Sequence, residues 1–172
     1  EGSELPNDGE AFGRLLIRGP WINKRYYKFE EDAVDADGWF DTGDISTIDP
    51  EGYMTIVDRA KDVIKSGGEW ISSVDLENVA QGHPDIMQAC VIGVAHPKWD
   101  ERPLLLVVPA NDKKDKDDIF SYLDGKIAKW WKPDDIVFLD ELPLGATGKV
   151  LKVNLRDQYK DCLLYTSPSP RD

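Results

Sequence analysis

The rhythm of apolar and polar positions changes near residue 60. Before it, apolar residues come in short runs bounded by turn formers. Residues 12–18 (FGRLLIR) stop at Gly19-Pro20. Residues 45–48 and 53–57 are parted by Asp49-Pro50-Glu51-Gly52, with proline and glycine where a tight turn favours them. These three runs predict strands. Residues 21–29 are aromatic and basic, 30–37 form an acidic loop, and 38–44 predict a tight loop. Residues 1–57 therefore read as the last β-rich piece of something larger.

Beyond residue 60, helical and extended periods alternate. Val63 and Ile64 give a short strand signal that ends at Gly67-Gly68. Ser72 opens a capping-box-like S-x-x-D with Asp75; Leu76, Val79 and Ala80 then form one helical face, and Gly82 closes it. Residues 87–94 and 104–108 are continuous aliphatic runs, the pattern of well-buried strands. After the charge run 111–118, Ile119, Leu123, Ile127 and Trp130 predict a helix lasting until Pro133. Gly125 lies inside it at a cost of roughly 1 kcal/mol relative to alanine. Residues 136–139 predict a further strand, and Leu151, Leu155 and Tyr159 a last helix. The fold class is α+β: the end of a β-rich subdomain, then a small domain with a central sheet flanked by helices.

Composition narrows the picture. The chain has 172 residues, 41% hydrophobic and 31% charged, enough for one domain with a core, or a small domain plus part of another. No apolar run approaches the ~20 residues that span a bilayer, and no secretory signal opens the chain. A net charge of −12 argues against nucleic acid or an anionic membrane as a partner of the whole chain, while leaving room for a local basic pocket. Two cysteines make no disulfide framework, so a cytoplasmic, reducing compartment is expected. Peripheral membrane association and an organelle remain compatible with it. Cys90, within QACVIGV, reads as a core residue, and His83 and His96, each before proline, as turn residues. No Cys/His spacing fits zinc, so no protein-ligated metal is assigned. The tail 161–172, with CLLYTSPSPRD, reads as disordered and non-native, such as a sequencing-adapter remnant.

Candidate chemistry gathers around residues 58–68, DRAKDVIKSGG. A cation-rich connector runs into a glycine pair that permits positive φ. Asp44 upstream supplies a carboxylate and Lys149 downstream an amine. This order suits a phosphorylated, hydroxyl-bearing ligand.

The motifs GWFDTGD, DRAKDVIKSGGEWIS, DLENV, HPKWDERPL and ATGKVLK stand in the order seen in adenylate-forming enzymes. Over roughly residues 10–160 the chain resembles that superfamily, and within it the medium- and long-chain fatty acyl-CoA synthetases. The resemblance implies that residues 1–60 are the truncated end of a large AMP-binding domain, a distorted barrel, and that 61–160 are its small mobile partner. The phosphate loop and fatty-acid tunnel would lie upstream, in an N-terminal domain missing here. Such enzymes join a carboxylate to AMP from ATP with Mg²⁺, releasing pyrophosphate, and then pass the acyl group to coenzyme A. The resemblance leaves room for a homodimer of the full-length enzyme.

The same resemblance assigns roles, each with a plainer alternative. Asp44 matches the ribose-binding acid, or is a turn aspartate capping its own loop. Arg59 matches an arginine on the ribose, or makes a surface ion pair with Asp58 or Asp62. Lys61 matches the hinge of the mobile domain, a role compatible with a merely exposed lysine. Lys65, Gly67, Gly68, Glu69 and Trp70 match the pantetheine channel, or form a simple hairpin. Lys149, in TGK, matches the lysine that bridges the substrate carboxylate and the α-phosphate; the alternative is a lysine at a helix N-terminus. After Pro143 the family usually has a basic and a hydroxyl residue, whereas Leu144 and Gly145 stand here. Competing readings are an aryl-CoA ligase, a luciferase-like enzyme, a carrier-loading adenylation domain, or a stand-alone module binding a nucleotide or partner.

Overall fold

A computed structural model of the chain describes residues 3–160, so the tail expected to be disordered lies outside the described residues. Residues up to Lys61 and residues from Asp62 onward form two separate units. The α+β class expected from the sequence is the class observed.

The first unit is a three-stranded antiparallel sheet, β1 (Gly13–Ile17), β2 (Phe40–Ile48) and β3 (Met54–Arg59), in the order β1-β2-β3. The turn between β2 and β3 closes as its residues dictate. The Asp49 carboxylate accepts the Tyr53 amide at 2.8 Å, and Gly52 takes a φ of +87°. The tight loop expected at 38–44 is instead largely strand. Phe40 and Asp41 pair with Ile17 and Leu16, and Asp44 pairs with Arg59. Ladder pairing with two neighbours overrides the weak strand preference of Asp-Thr-Gly-Asp. Gly43, with a φ of +74°, absorbs the irregularity.

The second unit is built on β7 (Asp100–Pro109). β6 (Ile86–His96) pairs antiparallel along one edge, from Ile86↔Pro109 to His96↔Asp100. The other edge is shared. β8 (Asp135–Phe138) runs parallel beside Leu104–Val107, and β4 (Ile64–Ser66) touches the ladder at Asp100 and pairs outward with β5 (Glu69–Ile71). Side chains alternate across a pleated strand, and here both sides are buried. Ala89, Val91, Leu105 and Val107 enter one cluster with Leu76 and Ala80 of α1 (Ser73–Gln81) and Ile119 and Leu123 of α2 (Lys116–Leu123). Cys90, Ile92, Leu104, Leu106 and Val108 enter a second with Leu155 of α3 (Lys152–Tyr159). This double burial explains why β6 and β7 read as continuous apolar runs.

The Ser72 cap forms as expected, its hydroxyl accepting the Asp75 amide at 3.1 Å. Gly82 ends α1 at a φ of −70°, so left-handed backbone is not its reason; a Cβ there would lie 2.6 Å from the Tyr122 hydroxyl. The helix expected to run from Ile119 to Trp130 is corrected. α2 stops at Leu123, Gly125 has a φ of +79°, and Lys129–Trp131 form a separate 3₁₀ turn. Ile127 still packs against the α2 side of the core, which is why helical spacing continued past the break.

Candidate functional site

On the first unit the irregular end of β2 sets Asp44 directly across from Arg59 of β3. The Ala60 amide donates to the Gly43 carbonyl at 2.9 Å, and the Asp44 amide donates to Thr42 Oγ1 at 3.1 Å, which fixes the strand at this point. Arg59 Nη1 lies 3.0 Å from Asp44 Oδ1; the carboxylate is 19% exposed and the guanidinium 57%. The buried carboxylate of Asp58 turns back to accept the Arg59 amide at 2.7 Å. The result is a half-sheltered carboxylate that keeps one oxygen for a hydroxyl donor, beside a cation. Such a pair suits vicinal hydroxyls next to an anionic group.

Lys61 is exposed and is the last residue of the first unit. On the second unit, β4 and β5 join through Gly67 and Gly68, with φ of +62° and +89°. Positive φ at both central residues defines a two-residue turn that matches strand twist and favours glycine. Lys65 and Glu69 are exposed and Trp70 is half-buried opposite Lys65. Space around the two glycines differs. A Cβ at Gly68 would meet nothing within 4 Å, whereas one at Gly67 would come within 2.8 Å of the Trp99 ring.

Lys149 is exposed on a loop ahead of α3, not within the helix. That loop is a miniature hairpin. Leu144 bridges Val150, the Gly145 amide donates to the Lys149 carbonyl at 2.8 Å, and the Leu151 amide donates to the Pro143 carbonyl at 2.8 Å. Among the described residues no carboxylate pairs with the Lys149 ammonium. Behind it, Lys152 reaches Glu77 and Ser73 of α1, each at 2.7 Å, and Glu77 accepts the Val91 amide at 2.8 Å. Arg156 pairs with Asp62 at 2.7 Å. The structure thus joins Asp44 to Arg59, sets Lys65 through Trp70 on one hairpin, and puts Lys149 on a separate loop.

Two features were not visible in the sequence. His83, Asp85 and Asp118 bring ligand-type atoms within 4.8 Å of one another, a grouping hidden by their separation along the chain. The Lys113 ammonium bridges the two carboxylates, and that contact raises its pKa well above the ordinary lysine range. Hydrogen bonds from Asn111 and Lys113 hold the Asp85 carboxyl below its usual range. The second feature is the set of contacts that Glu101 and Arg102 make with β4 and Trp99 with the adjoining Gly67. The motif HPKWDERPL was conspicuous, but nothing in its spacing indicated which element it would touch. Cys90 is the core residue expected. Burial, reinforced by Glu77, pushes its thiol up to about 12, which removes it from thiolate chemistry at neutral pH.

Residues 75–149 match the family of AMP-binding enzyme C-terminal domains. The matched stretch lies within the second unit, which thus carries an AMP-binding enzyme C-terminal domain. The chain is 56% identical over 164 residues to the 3-methylmercaptopropionyl-CoA ligase of Ruegeria lacuscaerulensis, covering 95% of this chain and 30% of that protein. It is 50% identical over 170 residues to the medium-chain-fatty-acid–CoA ligase of Ectopseudomonas oleovorans, covering 98% and 31%. Among solved structures, ATP-bound MatB from Rhodopseudomonas palustris superposes with a TM-score of 0.81 at 33% identity, covering 94% of this chain and 32% of that one. The chain therefore spans about a third of the length of the relatives it matches.

Proposed function

We propose that this chain is the C-terminal part of an ATP-dependent acyl–CoA ligase, in which one active site forms an acyl adenylate and then a thioester of coenzyme A. The observation that carries the reading is the pairing of Asp44 with Arg59 across β2 and β3 at 3.0 Å. It supplies the acceptor and the cation that a ribose joined to a phosphate requires. ATP supplies the adenylyl group, and Mg²⁺ would travel with its phosphates rather than in a protein cage. Asp44 accepts the ribose hydroxyls and Arg59 holds that carboxylate in place. Lys149, an ammonium on a long stem with no competing carboxylate among the described residues, would stabilise charge that builds between the substrate carboxylate and the α-phosphate. Lys61 would serve as the hinge, and Lys65, Gly67, Gly68, Glu69 and Trp70 would border the passage for pantetheine.

For the acyl group, a medium- or long-chain fatty acid is the first reading. The 56% identity to a 3-methylmercaptopropionyl-CoA ligase favours a second, a short thioether acid. Measuring pyrophosphate exchange by the longer protein with octanoate, palmitate and 3-methylmercaptopropionate separates them.

The decisive test treats the two half-reactions apart in that longer protein. Lys149→Ala should cut acyl-adenylate formation by at least ~10²-fold, the size seen for one preorganised donor, and largely spare thioester formation from supplied acyl adenylate. Lys61→Pro should do the reverse by locking φ. Equal losses in both steps for both variants would remove the assignment. This chain alone should release no pyrophosphate, since half a clamp cannot align ATP and acid.

A further inference from the structure

β4 is moored to β7 by a single register pair, Ser66↔Asp100. What holds it instead is a run of four residues, Trp99 to Arg102, gripping three consecutive residues of the hairpin. The Lys65 amide donates to Glu101 Oε2 at 2.9 Å, so a side-chain carboxylate does the work of a strand carbonyl. Arg102 Nη1 donates to Ser66 Oγ at 3.1 Å. The Gly67 amide donates to the Trp99 carbonyl at 2.8 Å.

Both side chains are themselves constrained. Arg102 is only 13% exposed, and its other donors reach Asp134 Oδ1, the Trp130 carbonyl and the Lys132 carbonyl, each at 2.8 Å. The guanidinium is thus pinned to the segment leading into β8 before it touches Ser66. Glu101 leans over Gly93 of β6, where a Cβ would come within 2.9 Å of its Oε2; glycine there leaves the space the carboxylate occupies.

We propose that Glu101 and Arg102 are positioning residues that fix the Gly67-Gly68 turn, and that through it they govern thioester formation while leaving adenylation alone. The second half rests on the reading that this turn borders the pantetheine passage; the first half does not.

The test has two arms. In this chain, amide hydrogen exchange is followed in the parent, Glu101→Ala, Glu101→Gln and Arg102→Lys forms. Removing one acceptor should speed exchange at Lys65 and Gly67 by about tenfold in Glu101→Ala, with amides of the β6–β7 ladder within about twofold of the parent. Glu101→Gln keeps an oxygen acceptor and should restore most of the protection. Arg102→Lys, which cannot serve four acceptors at once, should loosen the same amides. Unchanged exchange at Lys65 and Gly67 in Glu101→Ala, or equal acceleration throughout the ladder, overturns the proposal. In the longer protein, Glu101→Ala should raise the KM for coenzyme A about tenfold with pyrophosphate exchange within about twofold. If the amides loosen and that KM stays put, positioning stands and the passage reading of the turn falls. If both half-reactions drop together, the claimed selectivity for thioester formation is wrong.

Discussion

Gly67 and Gly68 are neighbours of one residue type with different obligations. Both occupy left-handed backbone, which costs a non-glycine residue ~1–2 kcal/mol. Only at Gly67 would an added methyl also strike Trp99. Gly67→Ala should therefore destabilise more than Gly68→Ala in urea unfolding, and Trp99→Ala should recover part of the difference in a double-mutant cycle. Equal costs for the two glycines would show that the ring simply moves aside. Cys90 makes a pH prediction. Its folded pKa, about 12, is above the ordinary value of 9.0, so the folded state holds the thiol proton more tightly than the unfolded chain. That contribution is complete below about pH 9 and is lost as the pH rises toward 12. In a Cys162→Ser background, thermal unfolding between pH 8 and pH 11 should show a downward slope that Cys90→Val flattens. The motif residues Asp44, Arg59, Gly67, Gly68 and Lys149 stood out in the sequence because their chemistry is local to short segments. Glu101 and Arg102 lie in a motif that stood out too, but their role did not, because it depends on a strand more than thirty residues away.

At the scale of elements, the sequence was legible wherever local bonds decide the outcome. Ser72 caps α1 through the Asp75 amide and is fully buried, so Ser72→Ala should cost ~1 kcal/mol, read from chemical denaturation. An unchanged midpoint would mean that another group replaces the hydroxyl. α2 shows the opposite case. Apolar spacing records which side of a segment faces the core, not whether the helix is continuous. Ile127 and Trp131 pack on the cluster from beyond the Gly125 break. β2 is longer than its apolar run because backbone pairing, not side-chain pattern, carries Asp41 and Asp44 into the ladder. For α3 the anchor is ionic: Lys152 and Glu77 are both mostly buried. Glu77→Ala strands a buried ammonium and should cost ~3–5 kcal/mol, more than Lys152→Met, whose loss leaves Glu77 with the Val91 amide. If Lys152→Met proves the costlier, the stem of Lys152 matters more than its charge.

At the scale of the whole molecule, both apolar clusters belong to residues after Lys61. Ile45 is the buried large aliphatic of the first sheet among the described residues, whereas Leu16, Tyr53, Met54 and Ile56 are exposed. Residues 62–160 alone should therefore unfold in one cooperative transition. Residues 3–61 alone should show little chemical-shift dispersion, since a small sheet without a buried face is marginal. A dispersed spectrum for 3–61 would contradict this. No described helix is long and apolar enough to cross a membrane.

The second unit can fail in two separate ways. Its sheet is covered on both sides, and each side seats a different part of the proposed site. Ile64 and Ile71 seat the glycine hairpin in the cushion formed with α1 and α2, whereas Leu142, Val150 and Leu155 seat the Lys149 loop in the one formed with α3. A worn spot beneath Leu155 would let the lysine wander while the hairpin keeps its aim, and one beneath Ile71 would do the opposite. If the proposed roles hold, damage here should silence one half-reaction rather than weaken both together.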